Sequence, residues 1–239
     1  MNNKENKTIL IPKSTTRFYV VGTPIGNLED ITYRAVRILG EVDLVLCEDT
    51  RVTRNLLERY EIKTPTMSYH AQSKISKADK IIELLNEGKN LALVSDAGTP
   101  TISDPGSLLV SQIKQNCSEV EVIVIPGPSA VISALSISGV SVAEFTFLGF
   151  LPHKKGRETL FKEIGLSERL MVFYESPHRI MKTLESLEKF APDKKVIVAR
   201  ELTKIYEQII SGTVLEVQKY FNENQDKIRG EFVVVVNNK

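Results

Sequence analysis

Length and composition predict a folded protein of one large domain or two small ones. The chain has 239 residues, of which 42% are hydrophobic, and this excludes an intrinsically disordered or fibrous protein. Lys and Arg number 31 against 30 Asp and Glu, so the net charge of +1 excludes a polycation but allows a local basic patch. Two cysteines and three histidines are too few for a disulfide framework and argue against a metal-dependent enzyme.

The amino-terminal segment differs from the rest of the chain. Residues 1–16 are polar and unpatterned, and we expect a mobile tail there rather than a signal peptide. No apolar run approaches the roughly 18 residues that a membrane-spanning helix needs. We therefore expect a soluble, cytoplasmic protein with neither a membrane segment nor a metal.

The next hundred residues alternate between two patterns. Short apolar runs predict buried strands at 17–21, 44–47, 66–69, 91–94 and 120–125. Amphipathic stretches predict helices at 32–39, 52–60, 75–86 and 107–115. Strands that alternate with helices indicate βαβ units and a mostly parallel sheet.

The second half of the chain predicts a mixed sheet. Helices are expected at 130–135, 177–190 and 214–221, and strands at 145–148, 169–174, 195–199, 206–210 and 232–236. The strands 195–199 and 206–210 are close enough to pair as a hairpin, and 149–156 reads as a loop. The predicted fold class is α/β, with two lobes, 17–125 and 126–239, and a ligand cleft between them.

Three loops that follow predicted strands consist of Gly, Pro and small hydroxyl residues: 22–28, 95–106 and 126–130. Glycine lets the backbone approach a ligand, and a following helix offers free N–H groups. The first loop lacks the G-x-G-x-x-G spacing of a dinucleotide site, so a tight turn is its alternative interpretation. A rigid corner between the lobes is the alternative for the third loop. The second loop is long for an α/β connection, which favours a binding loop.

Four charged clusters accompany these loops: 48–54, 153–157, 174–179 and 200–204. Any one of them could be an ordinary solvated ion-pair surface. Three of the four, however, come directly after a predicted strand. The edge of the sheets is therefore expected to carry carboxylates and arginines together.

These motifs, taken in order, resemble one known family. The motifs on which the resemblance rests are V-G-T-P-I-G-N at 21–27, E-D-T-R at 48–51, V-S-D-A-G-T-P at 94–100, P-G-P at 126–128, Y-E-S-P-H-R at 174–179 and R-E-L-T-K at 200–204. From about residue 18 to 236 the chain is similar to the ribosomal RNA small subunit methyltransferase I family, within the tetrapyrrole methylase superfamily. The resemblance implies a homodimer of two α/β lobes with S-adenosylmethionine in the cleft. It also implies 2′-O-methylation of a cytidine ribose in small-subunit (16S) ribosomal RNA.

The resemblance assigns the cofactor site by position. The implied cofactor-binding residues are Pro24, Ile25, Gly26, Ala97, Gly98, Thr99, Ile102, Ser129, Ala130, Tyr174, Leu202 and Gly230. Thr99 stands where the superfamily has an aspartate, so a hydroxyl replaces a carboxylate near the cofactor ribose.

The chain departs from the family pattern at two places. His70 matches the family, but Gln72, Ser73 and Lys74 replace a second histidine and an Asn-Glu pair, so a catalytic role for that pair is not available. Many members also continue into a small helical segment, whereas this sequence ends at Lys239.

A ribose hydroxyl must lose its proton as it accepts a methyl group, and a positioned base contributes roughly 10²–10⁴-fold. The candidate catalytic bases are Glu48, Asp49 and Glu175, which follow strands and are therefore rigidly held. They are favoured over His178 and Glu201. The predicted substrate-binding residues, which would hold phosphates, are Arg51, Arg54, Lys154, Lys155, Arg157, His178 and Arg179. Three of them, Lys154, Lys155 and Arg157, are expected to form a mobile basic flap.

Two other functions remain open from the sequence. A methylase of a tetrapyrrole precursor could use the same basic side chains to hold the carboxylates of its substrate. A nucleotide-binding module without catalysis could use the same small-residue loops.

Overall fold

Two five-stranded sheets organise the molecule. The computed structural model describes residues 15–70, 75–103 and 106–237. Most of the expected amino-terminal tail, the substituted segment at 72–74 and the final residue Lys239 lie outside these ranges.

The amino-terminal sheet is wholly parallel. Its elements are β1 (Arg17–Val21), α1 (Tyr33–Glu41), β2 (Leu44–Cys47), α2 (Thr50–Arg59), β3 (Thr66–Ser68), α3 (Ile75–Asn86), β4 (Leu91–Leu93), α4 (Ser107–Asn116) and β5 (Glu121–Ile125). The spatial order of its strands is β3-β2-β4-β1-β5, and each neighbouring pair is parallel. The carboxyl ends of all five strands therefore face one edge, as the alternating pattern predicts.

Side-chain caps define the starts of helices in this lobe. The Thr32 hydroxyl accepts a hydrogen bond from the Ala35 N–H ahead of α1, and the Asp49 carboxylate accepts one from the Arg51 N–H ahead of α2. Each cap satisfies a backbone donor that has no partner within the helix. The second cap also places Asp49 at the end of β2, next to the ligand edge.

The carboxy-terminal sheet is mixed, as predicted. A helix, α5 (Ala130–Ser136), leads into β6 (Phe145–Phe150), α6 (Arg157–Leu166), β7 (Leu170–Glu175), α7 (Ile180–Phe190), β8 (Lys195–Arg200), β9 (Gln208–Thr213), α8 (Val214–Glu223) and β10 (Phe232–Asn237). The order is β6-β7-β10-β8-β9, in which only β6 and β7 are parallel. The predicted hairpin of β8 and β9 is confirmed.

Strand β10 shows how this sheet is buried on both faces. Phe232, Val234 and Val236 pack with α6, α7 and α8, whereas Val233 and Val235 pack with α5 on the other face. Side chains on a strand alternate between faces, so an unbroken valine run suits a strand that is covered twice.

The two sheets stay separate but share part of a core. Ile25, from the loop after β1, packs in the same cluster as α5 and β10. Within the described ranges, no strand of one sheet pairs with a strand of the other. We propose residue 126 as the boundary between the lobes.

Helix α6 is not predicted by the sequence pattern, and the assignment of Arg157 to a mobile flap is wrong because this residue begins α6. The helix starts at Gly156, which adopts φ 79° and offers no side-chain cap. Its turns bury only Phe161 and Ile164, so the apolar periodicity is weak. Lys154 and Lys155 do lie in the preceding loop.

Strand β9 begins two residues later than predicted because a turn continues to Glu207. The Lys204 N–H donates to the Glu201 carbonyl and the Glu207 N–H donates to the Lys204 carbonyl, both at 3.0 Å. Glu201 and Thr203 adopt positive φ of 50° and 65°. Such backbone conformations are costly outside glycine and are common at binding sites.

Candidate active site

Four segments leave the same edge of the amino-terminal sheet. Strands β2, β4, β1 and β5 are neighbours in that order, so the segments that follow them lie side by side. The Thr23 N–H donates to the Gly98 carbonyl at 2.9 Å, and the Gly98 N–H donates back to the Thr23 carbonyl at 3.2 Å. The Thr23 hydroxyl also donates to the Ser95 carbonyl at 3.1 Å. The first and second glycine-containing loops therefore form one bonded unit.

The third loop contacts the first through a pair of glycines. A Cβ at Gly22 would lie 2.7 Å from the backbone nitrogen of Gly127, and one at Gly127 would lie 2.8 Å from the Gly22 carbonyl carbon. Real side chains do not tolerate such distances, so both positions require glycine. The segment 126–130 is thus a corner between lobes, and it is also held against the ligand edge.

The first loop also reaches the carboxy-terminal lobe. The Asn27 N–H donates to the Thr203 hydroxyl at 3.1 Å, and a Cβ at Gly26 would lie 2.6 Å from Lys204 Cγ. Ile25 packs beside Leu202 in the shared core. These contacts place the turn at 201–207 directly against the first loop.

A cavity of about 620 Å³ lies between the lobes. This volume falls within the range usual for small-molecule sites, roughly 300–1,000 Å³. Nine of the twelve predicted cofactor residues line it: Ile25, Ala97, Gly98, Thr99, Ile102, Ser129, Ala130, Tyr174 and Leu202. Gly230 does not line it, although its neighbour Glu231 does. We call this space the cofactor cavity.

The walls of the cofactor cavity suit a ligand with one flat apolar part. Gly98 adopts φ 81°, which keeps the loop backbone close to the cavity without a side chain. On the other side, the Tyr174 ring packs against Phe147 and Phe150, with ring centres 5.1 and 5.4 Å apart. Phe150 also lines the cavity and is absent from the sequence-based site.

A second cavity of about 260 Å³ adjoins the first. The two share Ile25, Asp96, Ala97 and Glu231. The remaining two predicted cofactor residues, Pro24 and Gly26, line only this smaller space, which we call the α2 cavity because Val52, Thr53 and Leu56 form one wall.

The candidate bases Glu48 and Asp49 occupy different surroundings. Glu48 lines the cofactor cavity. Asp49 instead faces Arg51, with its Oδ2 at 2.6 Å from Nη2. Hydrogen bonds from the Arg51 side chain and backbone lower the pKa of Asp49 to about 2. A carboxylate with so low a pKa is a weak proton acceptor at neutral pH.

Glu175, the third candidate, also lines the cofactor cavity, but it is 1% exposed and fully engaged. Its Oε1 accepts from the Ser176 N–H at 2.9 Å and its Oε2 accepts from the Thr183 hydroxyl at 2.6 Å. The Arg179 guanidinium pairs with both oxygens. Such a carboxylate is suited to hold neighbouring groups in position.

Arg157 and Arg179, predicted to bind phosphate, belong to the same internal cluster. Arg179 donates to the Leu151 carbonyl at 2.7 Å, and Arg157 donates to the Thr183 hydroxyl at 2.9 Å. The Arg157 guanidinium also lies 4.8 Å from the centre of the Phe161 ring, and burial lowers its pKa. Helix α7 begins at Ile180, so Arg179 is its N-cap residue rather than part of its first turn. We call this group the Glu175 cluster.

The other predicted substrate-binding residues are exposed. Arg51 and Arg54 lie on α2, Lys154 and Lys155 lie in the loop before α6, and His178 lies in the turn before α7. Two of these side chains belong to the amino-terminal lobe and three to the carboxy-terminal lobe. Their binding roles stay predictions.

Sequence reasoning did not select Asp96, Glu231 or Thr53. Asp96 lines both cavities and its Oδ1 accepts from the Asp49 N–H at 3.1 Å. Its place directly after β4, in the S-D-A-G-T-P loop, is a usable signal. Thr53 gives no such signal, because its burial at 3% exposure results from tertiary packing.

Within 15–70, 75–103 and 106–237, no group of three or more His, Cys, Asp or Glu side chains could hold a metal ion. No helix in that part of the chain is long and apolar enough to cross a membrane.

Comparison with known proteins decides the family. Residues 17–218 match the model of the tetrapyrrole (corrin/porphyrin) methylases. A ribosomal RNA small subunit methyltransferase I from Thermotoga maritima is 44% identical over 223 residues, which cover 93% of this chain and 99% of the relative. The enzyme of the same name from Bacillus subtilis is 47% identical over 219 residues, covering 91% of this chain and 74% of the relative. The chain belongs to the ribosomal RNA small subunit methyltransferase I family.

Solved structures support the fold of this family member. A cobalt precorrin-4 methyltransferase of cobalamin biosynthesis has a TM-score of 0.68 and 18% identity, over 95% of this chain and 98% of its own. A diphthine synthase has a TM-score of 0.71 and 14% identity, over 94% of this chain and 90% of its own. At such identities the likeness shows a tetrapyrrole methylase fold. The family membership makes the chain a methyltransferase.

Proposed function

We propose that the protein uses S-adenosylmethionine to methylate the 2′-oxygen of a cytidine ribose in small-subunit (16S) ribosomal RNA. The observation that carries the proposal is the cofactor cavity, whose lining coincides with residues assigned from the family motifs. The relatives named above, which are ribosomal RNA methyltransferases, support the RNA substrate. A cytoplasmic location follows from such a substrate.

The cofactor cavity fits S-adenosylmethionine in size and in lining. Small residues at Ala97, Gly98 and Ala130 leave room for a ligand against the loop backbone. Tyr174 and Ile102 supply apolar surface for an adenine ring, and the Thr99 hydroxyl supplies a polar partner for a ribose. When bound, the sulfonium supplies an electrophilic methyl group.

The protein contributes mainly alignment. Transfer of a methyl group from a sulfonium removes charge, so precise placement of the two reacting groups supplies much of the rate. The hydrogen bonds between Thr23 and Gly98 and the close packing of Gly22 against Gly127 form a rigid floor for that placement. Of the three candidate bases, we place Glu48 first because it lines the cofactor cavity, whereas the pKa of Asp49 is about 2 and Glu175 is 1% exposed. The base receives the proton of the 2′-hydroxyl.

Local charge, rather than net charge, would bind the RNA. Arg51, Arg54, Lys154 and Lys155 supply exposed positive charge, and the exposed His178 ring supplies a further hydrogen-bonding group. Contacts to phosphates position a nucleic acid on a protein without reading its sequence.

We also propose a homodimer. Apolar side chains are exposed on the edge strands β5 and β6, at Val124 and Phe145, and at the carboxyl end of α5, at Ile137. An exposed apolar surface of this kind is typical of a protein interface.

Incubation with labelled S-adenosylmethionine and isolated small ribosomal subunits tests the function. Label that appears in the RNA, but does not appear when the target nucleotide lacks its 2′-hydroxyl, supports the proposal. Label only in an added porphyrinoid would establish a tetrapyrrole-precursor methylase. Cofactor binding without transfer to either would establish a binding module.

Substitution of Gly98 tests the position of the cofactor. Gly98→Arg would put a charged side chain into the cavity at φ 81°, where a Cβ already meets Ile25 Cγ2 at 3.4 Å. We expect at least a hundredfold weaker cofactor binding by calorimetry, which is about 2.7 kcal/mol. Gly40→Arg is the matched control because a Cβ at Gly40 meets nothing within 4 Å. Unchanged affinity in a folded Gly98→Arg protein would refute the placement.

A further inference from the structure

The α2 cavity adjoins the cofactor cavity, in which the methyl donor is proposed to bind. Its walls and those of the cofactor cavity have Ile25, Asp96, Ala97 and Glu231 in common. A reacting hydroxyl must approach the methyl donor to about 3–3.5 Å. An acceptor bound in the adjoining cavity meets that condition. Its volume of about 260 Å³, against about 620 Å³ for the cofactor cavity, suits a smaller ligand.

The lining combines apolar surface with one unpartnered hydroxyl. Leu28, Val52 and Leu56 supply the apolar part. Thr53 is 3% exposed, and apart from a contact with the Cys47 thiol its hydroxyl makes no hydrogen bond within the described part of the chain. A thiol is a weak hydrogen-bonding group, and a buried hydroxyl without a partner costs stability. The hydroxyl oxygen itself has almost no exposed surface, but threonine in a helix adopts either of two side-chain rotamers, so a rotation toward the cavity would let a ligand bond it and remove that cost.

Basic residues flank the same cavity. Arg51 and Arg54 lie on α2 beside Thr53, and both are exposed. Lys204 also lines the cavity, with its ammonium paired to Glu201 and Glu231 at 2.8 and 2.9 Å. A polynucleotide could therefore keep its phosphates at the surface while one nucleoside enters between them.

We propose that the α2 cavity receives the acceptor nucleoside of the RNA, splayed out of a single-stranded segment, and that the Thr53 hydroxyl forms a hydrogen bond with it. Proteins that recognise RNA commonly bind unstacked nucleotides in this way. The inference deepens the proposed function and rests on it.

Removal of the hydroxyl is the first test. Thr53→Val keeps the shape of the side chain and removes a hydroxyl that has no strong partner, so the folded protein is expected to be no less stable. We expect kcat/KM for small ribosomal subunits to fall about tenfold, the size expected for one lost hydrogen bond, with cofactor Kd unchanged. Thr53→Ser retains the hydroxyl and should retain most of the activity.

Filling of the cavity is the second test. Val52→Trp, at a position 42% exposed, should lower methylation of small subunits at least a hundredfold while calorimetry shows cofactor binding intact. Leu215→Trp, on the exposed surface of α8 at 61% exposure, is the control. It should methylate normally.

The outcomes separate the inference from the function on which it rests. If the wild type transfers methyl groups to RNA and both Thr53→Val and Val52→Trp do so at the normal rate, the inference is overturned and the proposed function stands. Loss of cofactor binding in Val52→Trp would also overturn it, because the cavity would then belong to the cofactor. A wild-type protein that transfers nothing to RNA would remove the function and the inference together.

Discussion

Two acid–arginine pairs follow strand ends, one in each lobe, and they lie in opposite environments. Arg51 and Asp49, after β2, lie 2.6 Å apart with side chains 87% and 29% exposed. Arg179 and Glu175, the last residue of β7, lie 2.9 Å apart with side chains 16% and 0% exposed. The two sequence motifs resemble each other, so the difference comes from what packs over each pair.

The coverage explains the separate roles. Over β7, helices α6 and α7 supply Arg157 and Thr183, which complete the hydrogen bonds of the Glu175 cluster. A charge taken out of water is tolerated only with such partners. The Asp49–Arg51 pair stays in water, where its arginine remains available to a phosphate. A charged motif at a strand end therefore indicates a ligand edge, but burial determines whether the charges bind ligand or hold the edge together.

The largest expected effect is on stability and comes from breaking the buried pair. Glu175→Gln leaves the Arg179 charge without its counter-charge, and removal of one partner of a buried pair typically costs about 3–5 kcal/mol. Denaturant unfolding should show a loss of that order. Arg179→Ala should show a similar loss because it leaves the Glu175 carboxylate unpaired.

Asp49→Asn provides the comparison for this prediction. It removes a charge from the exposed pair but keeps an amide oxygen that can still cap α2. We expect little change in the midpoint of unfolding. Equal losses of unfolding free energy for Glu175→Gln and Asp49→Asn would show that the buried and the exposed pair contribute equally to stability.

The next effect is on the chemical step. Glu48→Gln should slow single-turnover methylation of saturating subunits by 10²-fold or more, the size of a lost general base. Asp49→Asn should have much less effect because a pKa of about 2 makes Asp49 a poor base. His178→Ala serves as the alternative. Loss of the step in His178→Ala alone would assign the proton to imidazole, and full activity in all variants would mean that alignment suffices.

Sequence reasoning anticipates the floor of the site because its signals are local. Gly22 and Gly127 allow a close backbone contact, and Gly98 adopts a positive φ. Each requirement concerns the residue type at one position, so it is visible in the sequence. Period-two and helical patterns likewise locate the strands, because each element buries its own face.

The parts that sequence reasoning misses depend on distant contacts. Helix α6 has a weak pattern and no side-chain cap, so only packing against the second sheet reveals it. The side chains of Arg157 and Arg179 point into the protein, and that arrangement depends on hydrogen bonds made by Thr183. Thr183 lies on α7, whose sequence pattern gives no sign of this role. The α2 cavity exists only once α2 and two loops are assembled.

A smaller effect concerns RNA affinity and tests the exposed side of the comparison. Arg54→Ala should weaken RNA binding and reduce the slope of log Kd against log salt by about 1, the value for one lost phosphate contact. Arg157→Ala is the control at a half-buried arginine that bonds within the protein, and it should leave the slope unchanged. A reduced slope for Arg157→Ala with none for Arg54→Ala would reverse the assignment of the two residues.

The smallest expected effect is the pH dependence of the exposed pair. Arg51 lowers the pKa of Asp49 to about 2, whereas an aspartate in an unfolded chain has a pKa of about 3.9. A carboxyl group with a depressed folded-state pKa stabilises the fold above the unfolded value, and this contribution is lost as the pH falls through the folded value. The difference in unfolding free energy between wild type and Asp49→Asn should therefore be constant above about pH 5 and shrink between about pH 4 and pH 2. Because the pair is exposed, 1 M salt should reduce the difference at every pH. A difference that changes with neither pH nor salt would mean that the charge of Asp49 has no electrostatic interaction with the Arg51 guanidinium in solution.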